Sequence, residues 1–124
     1  MSDRPPTDDI LALQKSLRAF AAARDWEQFH SPKNLAMALA GECGEVLEHF
    51  QWLTETQSVT LDAEAKREVG YELADVFIYT LRLADVLGVD VMQAARDKMA
   101  INDGRYPAAK ARGSAARAKT YESE

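Results

Sequence analysis

Apolar side chains recur along the chain at helical spacing. Ile10, Leu13, Leu17 and Phe20 are spaced 3, 4 and 3, which predicts a helix from about Asp8 to Arg24. Thr7 suits its N-cap, and Asp8 and Asp9 complement the positive end of its dipole. After the link DWEQFHS, Ser31 as N-cap and Pro32 at the first helical position open a second helix. Its apolar stripe of Leu35, Leu39, Val46, Leu47 and Phe50 carries it to about Leu53, and TETQSVT reads as a loop. Val69, Leu73, Val76, Phe77, Leu81 and Ala84 place a third helix over about Leu61 to Leu87, with Gly88 as the residue that ends it. A fourth starts at Asp90, where Gln93 completes a capping box, and runs to about Asp103. Beyond Pro107 the stretch AAKARGSAARAKTYESE is small, charged and without period. One all-α domain over residues 1–107 is expected, followed by a mobile or partner-ordered tail over 108–124.

Composition agrees with helices. Alanine occurs 21 times and leucine 12, against 10 valines and isoleucines together, and β-branched side chains lose rotamer freedom in a helix. A length of 124 residues suits one domain. No apolar run approaches the ~20 residues of a membrane span, and the N-terminus MSDRPPTDD has no apolar signal core. A single cysteine, Cys43, excludes an intramolecular disulfide and a Cys-rich zinc site. These features lead to the expectation of a cytoplasmic protein without a membrane partner. Residues 1–103 carry 10 Lys and Arg against 18 Asp and Glu, while residues 104–124 carry 5 against 2. An acidic body is not a duplex-binding surface, so no nucleic-acid polymer is expected as partner.

The carboxylates then need an explanation. Glu42 and Glu45 stand three apart on the second helix, and Glu72 and Asp75 three apart on the third. Residues at i and i+3 share a helix face. Two antiparallel helices could bring all four acids together, and so dense a negative charge calls for divalent cations. Oxygen-only ligands indicate a hard ion, Mg²⁺ or Mn²⁺. Solvated surface acids are the plain alternative. A di-iron centre would need Glu-x-x-His pairs; here Glu48 stands three after Glu45, and the third helix has no histidine. Gly41, Gly44 and Gly70 inside the helices point to close helix packing or close approach of a ligand. Other residues fall in line with the acids. His49 and Trp52 extend the stripe of Glu42 and Glu45, Tyr79 extends that of Glu72 and Asp75, and Lys98, Asn102 and Arg105 share a face of the fourth helix. An aromatic to stack a base, an amide to read its edge and cations for phosphates suit a nucleotide. Core packing of Trp52 and Tyr79 is the competing reading.

These residues resemble the all-α nucleoside triphosphate pyrophosphohydrolase superfamily, the MazG-like proteins, defined by ExxE, a variable gap and ExxD. The runs RDWEQFHSPKNLAMALAGECGEVLEHFQW, ELADVFIY and KMAINDGRYPAAKARGSA are most similar to its dCTP pyrophosphatase branch. The resemblance implies a four-helix bundle that assembles as a homodimer or homotetramer. It implies Mg²⁺ on Glu42, Glu45, Glu72 and Asp75, and a nucleoside triphosphate substrate cleaved to monophosphate and pyrophosphate. Trp26, Trp52 and Tyr79 would lie around base and sugar, Asn102 would read the base, and Lys98, Arg105, Lys33 and Arg112 would meet phosphate or pocket groups. The branch often carries a histidine in the first helix where this chain has Leu17. Among the acids, Glu45 is chosen as acceptor of the attacking water's proton. Two rivals stand beside this expectation: an enzyme like phosphoribosyl-ATP pyrophosphohydrolase, and a helical interaction module without catalysis.

Overall fold

The computed structural model describes residues 6–122, with side chains from Asp9 onward. It is all helical among those residues: α1 (Pro6–Ala23), α2 (Pro32–Glu48), α3 (Glu55–Ser58), α4 (Ala63–Leu87), α5 (Val91–Arg105) and α6 (Ala108–Ala111), with 3₁₀ turns at Glu27–Phe29 and Ala118–Tyr121. The expected all-α class is what the chain adopts. Two compact units divide it, one reaching Val89 and one starting at Asp90.

The helix starts follow side-chain caps. Ser31 Oγ accepts from Asn34 N at 3.2 Å, with Pro32 at the first helical position as expected. Asp62 Oδ1 accepts from Ala65 N at 2.8 Å and Asp90 Oδ1 from Gln93 N at 3.0 Å, each satisfying an otherwise orphaned donor. The capping box at Asp90 closes only halfway, because Gln93 Nε2 donates to Asp97 Oδ1 instead. Gly88, at φ 69°, ends α4 in the left-handed conformation glycine tolerates best. Three sequence expectations shift. Helix α1 begins at Pro6, so Thr7 is inside its first turn rather than capping it; the Thr7 side chain lies outside those described. Helix α2 stops at Glu48, five residues short of Leu53. The TETQSVT loop contains α3, held by a full capping box in which Thr54 Oγ1 accepts from Gln57 N and Gln57 Oε1 accepts from Thr54 N.

In the first unit α2 and α1 both pack on α4. His30, just ahead of α2, bonds Arg82, whereas His49, just beyond it, faces Glu72; α2 and α4 therefore run antiparallel. Gln14 donates to the Leu81 carbonyl at 3.1 Å and Arg18 meets Asp85 at 2.7 Å, so α1 runs parallel to α4. Between the three helices lie Ala21, Leu35, Val69, Leu81 and Ala84, with Leu35 and Leu81 sealed from solvent.

In the second unit the segment 108–122 carries α6 and the second 3₁₀ turn. Tyr121 is buried, donates to Ser114 Oγ at 3.1 Å and packs edge-on against Tyr106 with ring centroids 6.0 Å apart.

Leu81 is wholly buried and Val59 is 79% exposed. Leu81→Ala is expected to cost about 2–5 kcal/mol, because a cavity adds to the lost burial. Val59→Ala should change stability by less than about 0.5 kcal/mol. Urea denaturation of both variants at one protein concentration checks the contrast.

Candidate metal centre and adjoining groove

The antiparallel pairing of α2 and α4 sets Glu42 and Glu45 against Glu72 and Asp75. One carboxylate oxygen from each lies within 4.8 Å of those of the other three. Glu45 is exposed and the other three are half-buried. His49 is the one basic side chain that the described ion pairs bring to them, with Nε2 3.9 Å from Glu72 Oε1. Oxygens this close repel when ionised, and taking them out of water adds to the cost.

Two of the acids hold their protons more tightly than usual. Burial pushes the Glu42 carboxyl above its ordinary 4.5, and the Glu45 and Asp75 charges add to the rise. Glu72 is raised chiefly by hydrogen bonding with the Glu45 carboxyl, then by burial and the neighbouring charges. Glu42 Oε2 and Glu72 Oε2 are closed off from solvent and have no hydrogen-bond partner. Two buried, orphaned carboxylate oxygens inside an all-oxygen donor set fit a hard divalent cation, which would satisfy both and remove the repulsion. The four acids could therefore hold a metal ion.

A groove of about 360 Å³ opens beside this cluster and shares Asp75 with it. Leu17, Phe20 and Ala21 of α1 and Ile78 of α4 make its apolar wall, and Trp26, His30, Tyr79 and Arg82 complete the lining. Trp26 is delivered by a tight turn. Asp25 takes a left-handed φ of 55°, and Gln28 Nε2 donates to both its carbonyl and its Oδ2 at 3.0 Å. The Trp26 ring then meets Phe20 edge-on at 5.7 Å.

Of the residues expected around a base, Trp26 and Tyr79 lie in this groove, as does Leu17. Trp52 does not. The helical stripe that was to carry it ends with α2 at Glu48, and Trp52 stands in the following turn, 85% exposed. Lys33 sits exposed in the first turn of α2. Lys98, Asn102 and Arg105 share one face of α5, and Arg112 follows α6 exposed; all four belong to the second unit. The glycine expectation is corrected in part, since a Cβ on Gly41, Gly44 or Gly70 would meet nothing within 4 Å. Within the chain, no close helix packing depends on them.

Two groove residues carry no local sequence signal. Arg82, itself buried, donates from Nε to His30 Nδ1 at 3.0 Å across 52 positions of sequence. Burial, then the Arg82 charge, hold the His30 imidazole below its ordinary 6.5, with Glu27 opposing. Arg82 also reaches Asp85 Oδ2 with Nη1 at 3.5 Å, and the same oxygen takes Arg18 Nε at 2.7 Å. The packing of both α1 and α2 on α4 brings this chain of contacts together.

Residues 38–120 match the model of the MazG-like family. The chain belongs to the MazG-like family. Its match covers the paired acids of α2 and α4 and all of α5. Among curated proteins, this MazG-like chain is 45% identical over 116 residues to dCTP pyrophosphatase 1 of Mus musculus and 44% identical over 115 residues to that of Homo sapiens. Those alignments cover 92% and 91% of this chain, and in each case the chain spans 66% of the relative's length. The fold is also similar to a crystal structure of a pyrophosphatase from Archaeoglobus fulgidus, with a TM-score of 0.75 and 35% identity. That match covers 86% of this chain and 97% of the other.

The raised carboxyls fix a pH dependence for the metal-free protein. A folded-state value above 4.5 contributes stability that is fully present below 4.5 and is lost as pH rises through the raised value. In chelator, the melting temperature of the wild type should fall relative to that of Glu72→Gln as pH climbs from 4.5 toward neutrality. Thermal scans of the two proteins across that range would show parallel curves if the acids do not repel.

Proposed function

We propose that this MazG-like protein is a Mg²⁺-dependent pyrophosphohydrolase that cleaves a deoxynucleoside triphosphate, dCTP or a base-modified dCTP, to monophosphate and pyrophosphate. One observation carries the reading: two buried, unpartnered carboxylate oxygens belong to a four-acid cluster that shares Asp75 with an aromatic groove. The relatives named dCTP pyrophosphatase 1 support the choice of base. Clearing surplus or modified deoxynucleotides is the corresponding cellular role, in a cytoplasmic setting.

A bound Mg²⁺, with Mn²⁺ as its chemical substitute, would neutralise phosphate charge and polarise water. Glu42, Glu72 and Asp75 would hold it with Glu45. Glu45 is the exposed member, which suits it to accept the proton of a water attacking the α-phosphorus. Trp26 and Tyr79 flank the groove that would take base and sugar, where a stacked aromatic contributes about 1–3 kcal/mol per base. Lys33, Lys98, Arg105 and Arg112 are assigned to phosphate contacts and Asn102 to the base on the resemblance alone. Trp52, exposed in this chain, is assigned to the base on the same ground.

Self-association belongs to the same proposal. Met37, Gly41, Gly44 and Leu47 form one stripe of α2, and Gly70, Leu73 and Phe77 one of α4. The four apolar side chains are exposed and the three glycines face open space. Bare helix faces with glycines are shaped for close approach of another helix, and a second copy supplies one.

Two sets of outcomes test these statements, the first on activity and metal binding and the second on assembly. With Mg²⁺, pyrophosphate should be released from dCTP faster than from phosphoribosyl-ATP. Glu45→Ala should lower turnover by about 10²-fold or more while the metal-free protein melts no lower than wild type. Wild-type melting should rise with Mg²⁺, by about 2.7 kcal/mol of stability at roughly 100 times Kd; identical scans with Mg²⁺ and with chelator would favour a non-catalytic interaction module. Second, light scattering should give a mass at least double the 13.8 kDa of one chain, and Phe77→Glu should lower it toward that of one chain.

A further inference from the structure

Resting on that reading of the groove, we propose that Arg82 is a positioning residue that fixes His30 as a hydrogen-bond donor to a carbonyl oxygen of the substrate's base. The geometry leaves the imidazole one arrangement. Guanidinium Nε is always a donor, so the 3.0 Å bond to His30 Nδ1 requires Nδ1 to be unprotonated. The single ring proton of a neutral imidazole then sits on Nε2. The depressed proton affinity of His30 agrees with a neutral ring. Among the described residues no protein group bonds Nε2, and His30 lines the groove.

Arg82 is itself held. It is buried, and Asp85 Oδ2 lies 3.5 Å from its Nη1 while also taking Arg18 Nε at 2.7 Å. The guanidinium is thus anchored from α1 through Asp85, and the imidazole is anchored by the guanidinium.

The rest of the lining selects the ligand group. Leu17, Phe20, Ala21 and Ile78 offer no polar atom, and the Trp26 indole nitrogen and the Arg82 guanidinium only donate. The acceptors of the lining are the Asp75 carboxylate, which also belongs to the acid cluster, and the Tyr79 hydroxyl. An Nε2–H that no protein group takes fits an acceptor, such as the O2 of a pyrimidine, and cannot accept from an exocyclic amino group. A site built to bond one polar group discriminates strongly against an analogue lacking it.

The test pairs dCTP with its 2-thio analogue, whose sulfur is the poorer acceptor, both with Mg²⁺. His30→Ala should raise KM for dCTP about tenfold, the loss of one hydrogen bond, with a smaller change in kcat. The 2-thio analogue should lose much less. Arg82→Ala should reproduce that pattern, and the double variant should be no worse than His30→Ala alone, since one residue acts through the other. His30→Gln, whose amide can place an N–H near the Nε2 position, should recover most of the affinity. The His30 variants decide the matter if Arg82→Ala fails to fold. Additive losses, or equal losses on both nucleotides, would overturn the proposal. ¹⁵N spectra of the His30 imidazole in the ligand-free protein separate it from the activity. A proton on Nδ1 defeats the positioning whatever the turnover. A proton on Nε2 in a protein that turns over no nucleotide leaves the Arg82–His30 arrangement standing and removes the functional reading.

Discussion

Four carboxylates converging within 4.8 Å repel one another, and much of the first unit is arranged to keep them there. Each pair needs an unbroken helix, because only i and i+3 on one face aim together. The caps at Ser31 and Asp62 and the left-handed Gly88 start and stop those helices. The antiparallel packing of α2 on α4 supplies the other half of the convergence, and it is held away from the acids by Leu35 and Leu81. Buried apolar residues flank the acids along the pair, Leu35 and Leu81 on one side and Val69 on the other. The raised proton affinity of Glu42 and Glu72 is the metal-free protein's response to the electrostatic stress among the acids. A divalent cation would relieve it further and satisfy the orphaned oxygens as well.

Asp75 links this stress to recognition, since it belongs to both the acid cluster and the groove. The groove is built on the α1–α4 packing, and polar contacts hold several of its parts. The turn at Asp25 is pinned twice by Gln28. His30 is pinned by Arg82, and Arg82 by Asp85. A preorganised pocket loses less entropy on binding than one that must assemble. Leu17 adds an apolar surface to the groove, whose donors include Trp26, His30 and Arg82.

Local chemistry was the legible part. Ser31-Pro32, Gly88 and the two acid pairs act within a few residues of themselves, and each lies where its spacing predicts. Helix ends were less legible where apolar residues continue past them. Phe50 and Leu53 extend the α2 stripe, yet the helix stops at Glu48 and Trp52 leaves the face of Glu42 and Glu45. Thr54-x-x-Gln57 carried a capping-box signal hidden in a stretch too short to show a period. His30 and Arg82 had no local signature at all, since a bond across 52 residues exists only once the helices pack. Trp26 was found through family likeness and Tyr79 through its place in line with Glu72 and Asp75, and helix packing brings them to one groove.

Glycines and apolar exposure carry the argument one step beyond a single chain. An interior helical glycine costs about 0.5–1 kcal/mol against alanine, and Gly41, Gly44 and Gly70 return nothing for it inside this chain. Their stripes also expose Met37, Leu47, Leu73 and Phe77, in a protein whose fully buried apolar residues are few. A chain that is 47% hydrophobic by composition leaves much of that surface uncovered. Both costs are recovered together if helices from another copy lie on these stripes, burying the apolar side chains where the glycines allow close approach. The stripes lie on α2 and α4, the helices that carry the acids. Assembly would then stiffen the very pair whose charges push it apart, and the like-charge cluster becomes tolerable because the helices bearing it are clamped from outside.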